Sequence, residues 1–215
     1  MTALILALAF QPQATYDLKW RPAKGDTLVY ELFIKDKEMS VEASIERKVS
    51  KVDEQGYTVE SRSLGAFVRI AGSEIKDDRP NPASATFDPF GKLRDLKEGT
   101  TGLEKYRNVL LTTFVAPPQA VGVGGKWVYE RPQDQPKGLA ACVIEYRFEG
   151  VKDGFAQIAF TFTEKGGDHP QSATGTWWLD TSKKWVPQKF EAKVKNFLGQ
   201  DIAETEVRLA LRPSR

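Results

Sequence analysis

The strongest constraint on this chain is internal: its two halves resemble each other at a fixed offset. Gly25, Val29, Tyr30, Glu31, Ile45, Glu46 and Val52 recur 99 positions later as Gly124, Val128, Tyr129, Glu130, Ile144, Glu145 and Val151. A unit that recurs in this way is one piece of supersecondary structure used twice. The recurring residue types favour strands, so the unit reads as an antiparallel meander. Two such meanders in 215 residues fit one large β domain, a common size for all-β barrels and sandwiches.

The alternation within each half supports that reading. Leu28, Tyr30, Leu32 and Ile34 share one face of the segment from Thr27 to Ile34, and Val41, Ala43, Ile45 and Val49 line one face of the next. Period-2 patterning of this kind marks half-buried antiparallel strands. A Gly-containing turn at Val52–Gly56 leads into Tyr57–Ser63, and a further strand is expected over Ala66–Ile75. The Pro-rich stretch 77–82 reads as a loop, and Asp88-Pro89-Phe90-Gly91 as a turn joining Ser84–Phe87 to Lys92–Leu96. In the second half the expected strands are Lys126–Arg131, Leu139–Glu149, Phe155–Glu164, Thr174–Leu179, Trp185–Phe197 and Ile202–Leu211. That is roughly ten to twelve strands, more than a flat sheet carries without curling or splitting.

One helix is expected between the halves, at about residues 102–114. Thr101 and Glu104 have capping-box spacing, Leu103, Tyr106, Leu110 and Phe114 form one apolar stripe, and Pro117-Pro118 stops it. The expected fold is therefore all-β with one helix. A curved antiparallel sheet forms a half-barrel or near-closed barrel from two similar meanders, about 20–99 and 117–215, with the amphipathic helix packed on it. A two-sheet sandwich is the alternative. Residues 14–215 form a single domain in either case.

Residues 1–13 are read separately. Ala3 to Phe10 is an apolar run followed by Gln11-Pro12-Gln13, and Ala7-Leu8-Ala9 has the small-x-small form of a signal-peptidase site. No Lys or Arg precedes the run, as in a leader truncated at its start; a first strand or short buried helix is the alternative. Export to the periplasm or the exterior is the expectation, with peripheral or no membrane association.

Composition excludes several classes of chemistry. The net charge is +2, with Lys and Arg alternating with Glu and Asp along almost every segment. A nucleic-acid binder gathers its basic residues on one face, so no nucleic-acid partner is expected. Cys142 is the only cysteine and His169 the only histidine, which leaves no intramolecular disulfide, no multi-Cys or multi-His metal site and no triad within the chain. Val121–Lys126 superficially resembles a phosphate loop, but Trp127 follows the Lys and the next segment is a strand. Asp77, Asp78, Asp88, Asp153 and Asp180 sit mostly at turns, where Asp caps its own backbone. There is no Gly-x-Ser-x-Gly elbow. Neither a catalytic residue nor a cofactor is expected.

The aromatic residues carry more information. They fall mostly on strands, and adjacent Trp177 and Trp178 must face opposite sides of theirs. Barrel mouths and interiors commonly hold apolar ligands. The side chains expected to line such a cavity are Tyr30, Tyr129, Tyr146, Phe160, Phe162 and Trp177. The competing use of these rings is to fill a wide core.

Pro117-Pro118-x-x-Val121-x-Val123-Gly124-x-x-Trp127 resembles the lead-in to a strand in a diffuse class of exported bacterial β-proteins of unknown function. In that class a late strand pair resembling Thr174–Asp180 and Trp185–Val194 follows, then a final apolar strand like Glu206–Leu211. The architecture is similar to the half-barrel of periplasmic lipoprotein carriers of the LolA and LppX kind, which hold acyl chains in the concave side of a curved sheet. The resemblance implies a non-enzymatic protein binding a hydrophobic ligand or lipid. The alternative is a cell-envelope structural or interaction module with a solid core, using a sheet edge or an outward aromatic such as Trp178. Oligomeric state stays open.

Overall fold

The structure, a computed structural model, describes residues 14–98, 107, 109–134 and 140–213. Its strands are β1 (Thr27–Lys35), β2 (Met39–Asp53), β3 (Gly56–Ile70), β4 (Ser73–Asp77), β5 (Ala83–Phe87) and β6 (Leu93–Glu98). The second half supplies β7 (Lys126–Arg131), β8 (Ala141–Lys152), β9 (Phe155–Lys165), β10 (Ser172–Asp180), β11 (Val186–Lys195) and β12 (Thr205–Leu211). All twelve belong to one antiparallel sheet, in the order β6-β5-β3-β2-β1-β12-β11-β10-β9-β8-β7, with β4 paired to the far end of β3. The sandwich does not form.

This order is a single meander, joined where β1 pairs with β12 and left open between β6 and β7. The sheet is curved but not closed. Its two edges are consecutive strands, so the segment after Glu98 and before Lys126 must run from one edge to the other. Residues 109–118, from that connection, lie against the concave face. The repeat is visible in the strands: β1 and β7 begin 99 positions apart, as do β3 and β9.

The curvature follows from the distance between strands that meet. In a flat sheet, β5 and β10 would lie six strand spacings apart, about 29 Å at ~4.8 Å each. Yet Ala85 and Phe87 of β5 and Trp177 of β10 line one cavity. Register shifts that leave Ser50 of β2, Leu64 of β3, Glu149 of β8 and Gln188 of β11 without a paired partner supply part of the bend, because a bulge bends its strand and increases local twist. Gly175 supplies another part. It sits on the concave side of β10 between Phe160 and Ala192, and a Cβ there would lie 2.1 Å from the Glu191 carbonyl oxygen and 2.7 Å from the Phe160 ring. Gly175→Ala is expected to cost roughly 1–3 kcal/mol, the usual range for overpacking, with its urea midpoint falling accordingly. A neutral result would show that β10 can move away.

The inward residues come from the alternation, as expected. Ile144, Tyr146 and Phe148 on β8, Ile158, Phe160 and Phe162 on β9, Trp177 on β10, Phe190 on β11 and Val207 and Leu209 on β12 form the larger buried cluster with Tyr30. A smaller cluster joins Val49, Tyr57, Val59, Ala85, Phe87 and Leu96. Cys142 is buried in the larger cluster, while His169 lies exposed in a bend.

Some segments differ from the sequence reading. The expected strand Ala66–Ile75 is split, because the chain turns at Ala71-Gly72 between β3 and β4 and β3 runs unbroken from Gly56. Of the expected helix, Thr101, Leu103, Glu104 and Tyr106 lie outside the described residues, as does the leader 1–13. Arg107 and residues 109–111 are helical, and Thr112 already turns. Phe114 is thus buried from an extended strap rather than from a helix.

Candidate ligand-binding groove

The strap divides the concave face. Phe114 packs edge-on to Trp127 and Tyr146, at 6.1 and 5.7 Å between ring centroids, and tilts against Trp177 at 6.1 Å. Trp127 donates its indole N–H to the Val115 carbonyl at 2.8 Å. On the other side, the Ala116 amide donates to the Phe90 carbonyl at 2.8 Å. Gly91, at φ 89°, comes so near that a Cβ would meet the Phe114 carbonyl oxygen at 2.4 Å. The strap is therefore fastened to both halves of the sheet. Its one ring, Phe114, completes the aromatic cluster of the second half, and space remains over β12, β1 and β2.

That space has two parts. A cavity of ≈ 90 Å³ lies under the strap, against Tyr30, Tyr57, Phe87, Phe114 and Trp177. A larger one of ≈ 480 Å³ follows β12, β1 and β2, along Leu209, Val207, Leu32, Ile34, Ala43 and Ile45. Arg47, Ser61, Ala85, Val109 and Thr112 line both. With that shared wall the two are chambers of one groove, and the larger falls within the size range of ordinary ligand sites.

The six side chains expected to line a cavity divide between groove and core. Tyr30 and Trp177 line the inner chamber. Tyr129, Tyr146, Phe160 and Phe162 point to the same concave face but are buried in the ring cluster. Tyr146 stacks on Trp127 at 5.1 Å, and Phe160 stacks on Phe190 at 5.5 Å. Trp178 faces outward, with the Lys189 ammonium 4.6 Å from its ring centroid.

Arg47 sits where the chambers join, half-buried on the otherwise apolar face of β2. Its guanidinium carbon lies 5.1 Å from the Tyr30 ring centroid. Among the described residues no carboxylate or hydrogen-bond acceptor engages it; the Tyr30 and Tyr57 phenols lie nearby. Burial pulls its pKa below the usual value, and those phenols oppose the shift. Arginine nonetheless stays protonated in proteins, so the groove holds a permanent positive charge. Burial also pushes the Tyr30 phenol up to about 12, against the opposing charge of Arg47. The Tyr30 hydroxyl donates to the Pro187 carbonyl at 2.8 Å, which fixes the ring beneath the guanidinium.

No protein-family model, curated protein or solved structure matches this chain.

A second polar site lies at the far end of the larger cluster. Arg107 donates through Nε to Glu164 Oε1 at 3.0 Å, and the Gln171 amide donates to Glu164 Oε2 at 2.9 Å. Both ion-pair side chains are buried, at 11% and 4% exposure. The pair ties the helical turn to β9. Among the described residues no three His, Cys, Asp or Glu side chains are placed to hold a metal ion, and no helix is long and apolar enough to cross a membrane.

Sequence reasoning missed Arg47 and Glu164, although the signal was present. The alternation that turns Val41, Ala43, Ile45 and Val49 inward also turns Arg47 inward. Likewise the run Ile158, Phe160, Phe162 continues to Glu164. A charge on an apolar face is the informative exception.

Proposed function

We propose that this protein is exported and binds a hydrophobic ligand or lipid, without chemistry, in the concavity of its curved sheet. The observation that carries the reading is the groove over β12, β1 and β2. Rings fill the concavity over β8 to β11, whereas β12, β1 and β2 keep open space beside aliphatic side chains. A protein built only to be rigid gains by filling such space, since voids forfeit packing contacts. The leader-like residues 3–10 support export, where an apolar cargo needs shelter from water.

The test is native mass spectrometry of the full protein purified from its own envelope fraction, with organic extraction of whatever is bound. The expected result is a stoichiometric apolar adduct that leaves on unfolding. A clean apoprotein mass from freshly prepared material would overturn the reading.

One observation favours a second reading, the envelope interaction module. Leu64, Phe67, Ile70 and Ile75, around the β3–β4 turn, are large, apolar and exposed. Exposed apolar surface of this kind is a usual mark of a contact surface. Under that reading the extract would be empty and the protein would be retained with a partner.

A further inference from the structure

The groove contains one feature that an aliphatic ligand alone does not explain. A guanidinium placed among apolar side chains costs stability unless something pairs with it. Among the described residues Arg47 is paired with the Tyr30 ring alone, and a cation over an aromatic face offsets about 0.5–2 kcal/mol of that cost. The ring uses the face of the guanidinium, and its N–H donors have no acceptor among the described residues. Arg62, which also reaches the larger chamber, is engaged through Nε with Glu46 at 2.7 Å. Among the described residues Arg47 is thus the charge of the groove that has no ion-pair partner, with its half-buried guanidinium open to the chambers.

Position adds direction. Ser61 stands opposite Arg47 in the β2–β3 register, which places a hydroxyl beside the cation. From Arg47 the inward face of β2 continues through Ile45 and Ala43 to Val41, paired across by Leu32 and Ile34 on β1 and by Ala66 and Val68 on β3. These side chains are aliphatic or small, and the path from Arg47 to Val41 covers about 20 Å at ~3.3 Å per residue. The face then runs on to Ile75, opposite Val68 on β4, which is exposed. A single polar end followed by a long apolar track describes an amphiphile with a small head and one chain.

The geometry points to a long-chain aliphatic carboxylate as the ligand, its carboxylate paired with Arg47 and its chain lying along Ile45, Ala43 and Ile34 toward the β3–β4 end. The planar fork of arginine matches two carboxylate oxygens. With Arg62 already paired to Glu46, the one cation left to a ligand suits one negative charge better than the two of a phosphate monoester. This assignment rests on the groove reading proposed above and names the chemistry of its head.

The experiment separates the two claims. Palmitate, hexadecanol and hexadecyl phosphate are titrated into the full-length, delipidated protein, and binding is read by calorimetry. Palmitate is expected to bind at least tenfold more tightly than hexadecanol, a difference of about 1.4 kcal/mol, and more tightly than the phosphate. Arg47→Gln is expected to bring palmitate down to the level of the alcohol while leaving the alcohol unchanged. Equal affinities for palmitate and hexadecanol would overturn the head assignment and leave the apolar groove standing. Tighter binding of hexadecyl phosphate would replace carboxylate with phosphate. Failure of all three amphiphiles to bind would overturn the groove reading itself. The comparison among ligands uses the native protein, so it holds even if Arg47→Gln proves unstable.

Discussion

Glu164→Ala is expected to destabilise the protein by about 3–5 kcal/mol, the cost typical of removing one partner from a buried ion pair. Glu164 accepts from Arg107 and from the Gln171 amide. Truncation leaves a buried guanidinium and a buried backbone donor together. The guanidinium has little room to turn elsewhere: it packs directly on Gly199, where a Cβ would come within 1.8 Å of Nη1. The side-chain amide of Gln171 and the hydroxyl of Thr205 are themselves buried without partners among the described residues. For a chain of this size the loss corresponds to roughly 10 °C in Tm, at ~2–4 °C per kcal/mol. The double change Arg107→Met with Glu164→Leu is expected to recover most of it, because apolar groups of similar volume remove both charges at once. Equilibrium urea unfolding of the two single variants and the double gives the coupling energy. A loss below about 1 kcal/mol for Glu164→Ala would show that the pair is open in solution, and with it the anchor of the strap.

That anchor illustrates what alternation can and cannot convey. Strand positions, inward faces and the two meanders are legible because period-2 patterning depends on near neighbours along the chain. Leu28, Tyr30, Leu32 and Ile34 can be assigned a common face without knowing what they face. The pairing of β1 with β12, which joins the halves, has no local signal. Neither does the strap, whose Phe114 reads along the chain as the end of a helical stripe. Its environment is set by Gly91, Trp127 and Tyr146, which lie well away in sequence. The site is half legible for the same reason. Tyr30 and Trp177 stand out as inward rings, but nothing local distinguishes them from Phe160, packed against Phe190, or from Tyr146, which Phe114 of the strap covers. Arg47 and Glu164 are visible as charges in apolar registers, and their partners are not. One is held by an arginine on the strap, whereas the other faces open space, and only the packed structure separates them.

Buried phenols give the fold a definite alkaline limit. Tyr30 is pushed up to about 12 by burial, with Arg47 opposing, and Tyr129 to about 12 by burial and Cys142, with Arg131 opposing. Tyr57 and Tyr146 are also pushed well up, chiefly by burial. In each case the folded protein holds the proton more tightly than an unfolded chain, whose tyrosines titrate at about 10. Below that pH both states are protonated and the stability is fully present. Above it the unfolded chain ionises first, and stability falls as pH rises toward the folded values. The slope is about 1.4 kcal/mol per pH unit for each phenol, or roughly 5 kcal/mol per unit for four together. Domains of this kind have about 5–15 kcal/mol of stability, so unfolding is expected to set in from about pH 11 upward, within about one to three units of pH 10. The signature is cooperative: phenolate absorbance from the buried rings should rise, and the β-sheet circular dichroism should vanish, in one step. Gradual ionisation of all four phenols with the dichroism intact would mean that water already reaches them. A bound carboxylate amphiphile should shift the step upward, because it binds the folded state alone and pairs with the guanidinium that lies over Tyr30.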